Sequence, residues 1–70
     1  MESENQTTNL TTGLPPGMPQ PYRAGWMVMR AGGTKMWCPF DRRRKSGREW
    51  CRGWDDSAAA YREEISNAAK

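Results

Sequence analysis

The chain has 70 residues, two cysteines and no histidine, so it forms at most one small domain and lacks the ligands of a four-coordinate zinc site. No apolar run approaches the roughly 20 residues of a membrane helix, and the N-terminus lacks the features of a secretory signal, so we expect a cytoplasmic protein with reduced thiols. The formal net charge is +3, but residues 22–54 contain nine Lys or Arg against two carboxylates, a net charge of +7.

Residues 1–21 are predicted to be a disordered tail. They are rich in Thr, Asn, Gln, Pro and Gly and contain few large apolar side chains. Such a segment buries too little apolar surface to offset the entropy that it loses on ordering, and its prolines favour extended backbone. A passive tail and a partner-binding arm both fit this composition.

Residues 22–31 are predicted to form a short helix. Three apolar or aromatic residues recur at the spacing of one helical face: Tyr22, Trp26 and Met29. Pro21 suits a helix start, and the two glycines that follow residue 31 end the helix because glycine adopts left-handed dihedral angles without steric cost. A helix of this length is not stable alone, so it needs a packing partner.

Residues 34–45 are predicted to be a bent, basic connector. Pro39 lacks a backbone N–H and disfavours helical dihedral angles at Cys38. Three apolar side chains are expected to fold the connector onto the helices: Met36, Trp37 and Phe40. A run of four cations, Arg42 to Lys45, completes the connector.

Residues 46–69 are predicted to form a long helix. Ser46 and Glu49 have the spacing of a capping box, and Asp41 is a competing cap one turn earlier. An apolar stripe with helical spacing runs along the segment: Trp50, Trp54, Ala58, Tyr61, Ile65 and Ala68. Gly53 weakens the helix, but its lack of a side chain would let another backbone or a ring come close.

The predicted fold class is all-α. A short helix, a bent basic linker and a long C-terminal helix form a hairpin-like domain over residues 22–70, after the disordered tail. We expect Trp50 and Trp54 to be core residues, and their end of the long helix to pack on Trp26, Met29 and Phe40.

The distal half of the apolar stripe, with Tyr61 and Ile65, has no predicted partner within the chain. It is a candidate surface for a homodimer or for another protein.

The basic segment is the candidate binding site. Its cations would neutralise phosphates and release counterions, which gives sequence-independent affinity for nucleic acid, and exposed aromatic rings beside them would stack on unpaired bases. The candidate RNA- or partner-binding residues are Arg30, Lys35, Trp37, Arg42, Arg43, Arg44, Lys45, Arg48 and Arg52. The composition also fits a solvated charged face, and it leaves Trp37 open as a core residue or a stacking platform.

We expect no enzymatic activity, no metal and no cofactor. Cys38 lacks the neighbouring histidine that normally activates a thiolate, and a disulfide between Cys38 and Cys51 is conceivable only in an oxidising compartment. The adjacent carboxylates Asp55 and Asp56 point in different directions on a helix, so they do not converge on one site.

Three sequence elements together resemble the ribosome modulation factor family. They are the sequence GGTKMWCPF at residues 32–40, a Trp-x-x-Gly-Trp motif at residues 50–54, and the alanine-rich helix that follows. The resemblance implies a two-helix protein that binds the small ribosomal subunit near the region where its RNA pairs with messenger, and that promotes inactive ribosome dimers. It implies a structural role for Cys38, Pro39, Phe40, Trp50, Gly53 and Trp54. It implies phosphate contacts for Lys35, Arg42 to Lys45, Arg48 and Arg52.

The chain also departs from that family. An acidic, polar tail stands where the family has a basic arm, and the C-terminal half is more acidic. The main hypothesis is therefore a protein that binds ribosomal RNA through the basic linker and inhibits translation. The alternative is a small phage or mobile-element inhibitor that docks on an acidic surface of a host protein.

Overall fold

In the part of the chain that the structure describes, the fold consists of two complete α-helices and one turn of 3-10 helix. The computed structural model describes residues 10–68, and no strand forms among them. Helix α1 spans Gln20–Arg30, the 3-10 turn spans Lys35–Trp37, and helix α2 spans Lys45–Ala68. The all-α fold class, with a short helix, a bent linker and a long C-terminal helix, is confirmed. Neither α-helix combines the length and the hydropathy that a membrane-spanning helix requires.

Helix α1 begins and ends at the residues whose backbone chemistry favours a boundary. Pro21 lies in its first turn, where the missing N–H is not needed. At its C-terminus the N–H of Ala31 donates to the carbonyl of Met27 at 2.9 Å, and the N–H of Gly33 donates to that of Val28 at 2.8 Å. Gly32 has a φ of 91°, which is the left-handed conformation expected of the residue that ends a helix.

The turn at Asp41 precedes helix α2. The carboxylate of Asp41 accepts a hydrogen bond from the N–H of Arg43 at 2.9 Å, and its carbonyl accepts one from the N–H of Arg44 at 3.0 Å. Helix α2 then begins at Lys45, one residue before the predicted start, so Ser46 lies inside the first turn and not at the cap. Asp41, the competing cap of the sequence analysis, is the residue that orders the entry to the helix.

Two buried glycines let the helices cross with their backbones in contact. A Cβ atom at Gly25 would overlap the carbonyl oxygen of Trp50, and a Cβ atom at Gly53 would overlap the carbonyl oxygen of Tyr22. The contact is reciprocal, because each glycine lies against the backbone of the opposite helix. The expectation that Gly53 allows a close approach is confirmed, and Gly25 supplies the matching position on α1.

The core is small and largely aromatic. Tyr22 and Trp26 are each 3% exposed and Trp50 is 1% exposed. Ser57 is fully buried, and its hydroxyl donates to the carbonyl of Trp26 at 3.1 Å. Trp54 was expected in the core but is only half-buried, and its indole N–H donates to the carbonyl of the buried Gly33 at 3.1 Å.

The prediction that residues 1–21 form a disordered tail is corrected in part. Residues 1–9 lie outside the described residues, but turns form at residues 11–13 and 16–17, and the first of these turns lies against Trp26 of α1. The indole N–H of Trp26 donates to the carbonyl of Thr12 at 3.2 Å, and Gly13 adopts a positive φ of 79° beside the same ring. Composition alone did not reveal this segment, because a hydrogen bond and a glycine turn hold it in addition to its few apolar side chains.

The connector does not fold its apolar side chains onto the helices as predicted. Met36 is 84% exposed, Trp37 is 65% exposed and Phe40 is 40% exposed. Phe40 is therefore not a core residue. The connector is attached instead by polar contacts of Lys35 and Gly33 with helix α2. These anchors leave the apolar side chains facing solvent.

Candidate nucleic-acid interface

A cluster of exposed cations surrounds the start of helix α2. We call it the basic surface, and its members are Arg42, Arg43, Arg44, Lys45, Arg48 and Arg52, all exposed. Lys45, Arg48 and Arg52 are spaced by three and four residues, which places them along one face of the helix. The turn at Asp41 places the other three cations, Arg42 to Arg44, at the start of the same helix.

The electrostatics of this end of α2 are unfavourable within the chain. The first turn of α2 contains no acidic residue, although the positive end of the helix macrodipole favours carboxylates there. The cations of the basic surface therefore add to the positive potential of this helix end, and no carboxylate in the first turn offsets them. A bound anion would relieve this repulsion.

Ion pairs occupy some of these cations and leave others available. Arg43 lies 3.4 Å from Asp41, and Arg52 lies 3.9 Å from Asp56. Both arginine side chains remain mostly exposed, at 91% and 77%, so these pairs are weak and open to competition. Within residues 10–68, four members form no ion pair: Arg42, Arg44, Lys45 and Arg48. Of these, Arg42 donates a hydrogen bond to the carbonyl of Lys35, and the side chains of the other three make no polar contact with the described residues.

Lys35 and Arg42 connect the basic surface to the 3-10 turn. The ammonium of Lys35 lies 2.9 Å from the carboxylate of Asp55, and the guanidinium of Arg42 donates to the carbonyl of Lys35 at 3.0 Å. Trp37 ends the same turn and is 65% exposed. The structure therefore brings these three predicted binding residues together at one edge of the basic surface.

Arg30 does not belong to this surface, contrary to the sequence prediction. Its side chain is only 6% exposed, and both terminal nitrogens donate to the carboxylate of Glu64 at 2.8 Å. Its Nε donates to Ser57, and its guanidinium lies over the rings of Trp26 and Tyr61 at 5.6 and 5.4 Å. The bond to Glu64 raises the pKa of Arg30. Arg30 thus ties the two helices together and is not available to a phosphate.

The distal half of the apolar stripe, with Tyr61 and Ile65, is exposed, but Tyr61 has one contact within the chain. Tyr61 is 44% exposed and Ile65 is 51% exposed. One part of the Tyr61 ring is covered by the guanidinium of Arg30. Ile65 is therefore the more accessible of the two apolar residues proposed for a partner or dimer surface.

Both cysteines are free, half-buried thiols. The thiol of Cys38 lies 3.4 Å from the carbonyl of Phe40 and can donate a hydrogen bond to it. Burial raises the pKa of the Cys51 thiol, and the neighbouring Cys38 raises it further. Cys51 therefore stays protonated at neutral pH, which makes it a poor nucleophile. Among residues 10–68, no three potential ligands lie close enough together to hold a metal ion.

Sequence reasoning missed two sets of residues that shape this surface. Met36 and Phe40 are exposed beside Trp37, although their apolar character suggested burial. Asp55 and Asp56 pair with Lys35 and Arg52, whereas the sequence analysis assigned them no partner. The i, i+4 spacing of Arg52 and Asp56 is a signal that could have revealed one of these pairs.

No protein-family model, no curated protein and no solved structure matches the chain. The fold and the basic surface define a small two-helix protein with a cationic edge. The resemblance to the ribosome modulation factor family depends on the motifs in the sequence alone.

Proposed function

We propose that the chain is a non-enzymatic, cytoplasmic RNA-binding protein that binds ribosomal RNA on the small ribosomal subunit and inhibits translation. The observation that carries the proposal is a set of exposed cations at the start of α2 whose side chains have neither an ion pair nor a hydrogen bond among the described residues, namely Arg44, Lys45 and Arg48. The ribosomal target comes from the Cys-Pro-Phe and Trp-x-x-Gly-Trp motifs, which resemble the ribosome modulation factor family.

Phosphate is the ligand that this surface fits best. Guanidinium groups bind phosphate oxygens in a bidentate manner, and the cations lie at a helix end whose dipole also favours an anion. The pairs that involve Arg43 and Arg52 are exposed and weak, so phosphates can replace their carboxylates. All six members of the basic surface can then contact RNA.

The salt dependence of binding gives the first test. Six phosphate contacts predict a slope of log K against log salt of about −4 to −5, so a fourfold increase in salt should weaken binding by roughly 300- to 1,000-fold. We would sediment the tagged protein with bacterial ribosomes at low and moderate salt and measure the fraction in the small-subunit and dimer peaks. Co-sedimentation that falls steeply with salt is expected.

A charge-matched pair of variants locates the contact. Replacing Arg44 and Arg48 together with glutamine should lower the slope by about a third, because it removes two of the six contacts. The control replaces Arg23 and Arg62, which are exposed outside the basic surface, with glutamine. It makes the same change in net charge and should keep most of the dependence of log K on log salt. Binding that ignores salt, or equal losses in both variants, would contradict the proposal.

A second candidate function is supported by the exposure of Ile65 at the distal end of α2. A small inhibitor of phage or mobile-element origin would use this residue and Tyr61 to dock on a host protein, with the basic surface facing acidic groups. Affinity capture should then recover one protein partner, and Ile65→Asp should abolish the capture. Recovery of ribosomes alone would count against this candidate.

A further inference from the structure

Trp37 presents its ring at the surface in a fixed position. The indole is 65% exposed, yet its six-membered ring lies against Gly33, where an added Cβ would be 2.8 Å from Cε3 and 3.0 Å from Cζ3. Gly33 itself is buried, three residues after the end of α1. The ring therefore has support on one side and open solvent elsewhere, which distinguishes it from a freely rotating surface side chain.

The turn that carries Trp37 is closed by its own hydrogen bond and anchored to helix α2. The N–H of Trp37 donates to the carbonyl of Thr34 at 3.1 Å, and the indole N–H of Trp54 holds the carbonyl of Gly33 at 3.1 Å. The Lys35–Asp55 ion pair fixes the first residue of the turn to α2. Little conformational entropy remains for this turn to lose when a ligand binds, which favours recognition.

The surroundings of the ring are cationic. Lys35 lies two residues before Trp37, and the guanidinium of Arg42 is bound to the carbonyl of Lys35 at 3.0 Å. A flat apolar ring at the edge of a cationic surface matches the two parts of a nucleotide, because the base has an apolar face and its phosphate is an anion. The bases of a duplex are already stacked and paired, so only an unpaired base can lie on such a ring.

We propose that Trp37 is a stacking platform for an unpaired base of single-stranded RNA whose phosphates are bound by the basic surface. This inference rests on the proposed RNA-binding function and adds a selection for single strands to it. The basic surface supplies affinity for any RNA, whereas Trp37 distinguishes a single strand from a duplex.

The test compares two RNA forms by fluorescence anisotropy at low salt. The probes are a labelled, unstructured single strand of about 12 nucleotides, within the range that a small binding site covers, and a blunt duplex of the same sequence. We expect tighter binding to the single strand. Trp37→Ala should weaken binding to the single strand by about five- to a hundredfold and change duplex binding less than about twofold.

Two further variants make the result specific to the aromatic ring. Trp37→Phe should retain most of the affinity for the single strand, because phenylalanine keeps an aromatic face. Met36→Ala is the matched control, since Met36 lies in the same turn, is 84% exposed and has no such face. It should bind both RNA forms as the unchanged protein does. Thermal melting of each variant confirms folding, and Trp37→Leu replaces Trp37→Ala if the latter does not fold.

The possible outcomes separate this inference from the proposed function. Equal binding of single strand and duplex, or a parallel loss on both in Trp37→Ala, overturns the stacking role but leaves the basic surface as an RNA site. An equal loss of single-strand binding in Met36→Ala also overturns it, because the loss would then follow from removing exposed apolar surface and not from removing an aromatic face. If the unchanged protein binds neither RNA form, both the proposed RNA-binding function and the stacking role of Trp37 are refuted.

Discussion

Substituting alanine for Gly25 or Gly53 should destabilise the protein, although alanine is the better helix former. In an exposed helix interior this change stabilises by about 1 kcal/mol. Here the new methyl group would occupy the position of a backbone carbonyl oxygen of the opposite helix, that of Trp50 or Tyr22. A backbone cannot move aside as a flexible side chain can, so the two helices must separate.

The size of the effect follows from these two opposing contributions. Overpacking a well-packed contact costs typically about 1–3 kcal/mol and occasionally more, and a collision with backbone belongs at the upper end. After the gain in helix propensity is subtracted, we expect the free energy of unfolding to fall by about 2 kcal/mol. For a domain of this size, that lowers the Tm by roughly 8–16 °C.

The assay is thermal unfolding followed by circular dichroism. Ala59→Gly is the control, because residue 59 is exposed on the same helix and the change should cost only about 1 kcal/mol of helix propensity. The double variant Gly25→Ala with Gly53→Ala should lose less than the sum of the single losses, since one separation of the helices accommodates both methyl groups. An unchanged or raised Tm in either single variant would refute the close crossing.

Two further predictions concern the groups that join the helices. Burial and the hydrogen bond to Asp56 raise the pKa of Tyr22 from 10.0 to about 12. The protonated phenol therefore contributes about 3 kcal/mol to the free energy of unfolding below pH 10, and this contribution is lost as the pH rises towards 12. Tyr22→Phe, measured by urea unfolding, should lose less stability than the unchanged protein over this pH range. Equal losses of stability in the two proteins would contradict the assignment to Tyr22. Arg30→Met should cost roughly 1–3 kcal/mol of stability and leave the salt slope of RNA binding unchanged. A variant that keeps its stability but shows a smaller salt slope of RNA binding would indicate that Arg30 contacts RNA.

The helices could be predicted from the sequence because their signals are local. Pro21, the glycines after residue 31 and the apolar stripe placed the described helix boundaries within two residues. Gly53 was also recognisable, since a lone glycine in a strong helical pattern needs a packing reason. The matching role of Gly25 was missed because α1 is short, and a single glycine in a short helical pattern indicates only a weaker helix.

The connector could not be predicted, because its conformation depends on contacts between residues distant in the sequence. Lys35 and Asp55 are 20 residues apart, and Gly33 and Trp54 are 21 apart. Apolar content suggested burial of Met36 and Trp37, but these polar anchors decide which way the segment faces. Arg30 was assigned to the basic surface for the same reason, since nothing local shows that Glu64 lies beside it.

The acidic half of α2 is compatible with a phosphate-binding surface at its other end. Asp55 pairs with Lys35, Asp56 accepts a hydrogen bond from Tyr22, and Glu64 pairs with Arg30. These carboxylates thus hold the connector and α1 onto α2. Because their contacts are made within the fold, the net charge of the long helix understates the positive potential at its start. The acidity that separates this chain from the ribosome modulation factor family therefore does not by itself argue for a different partner.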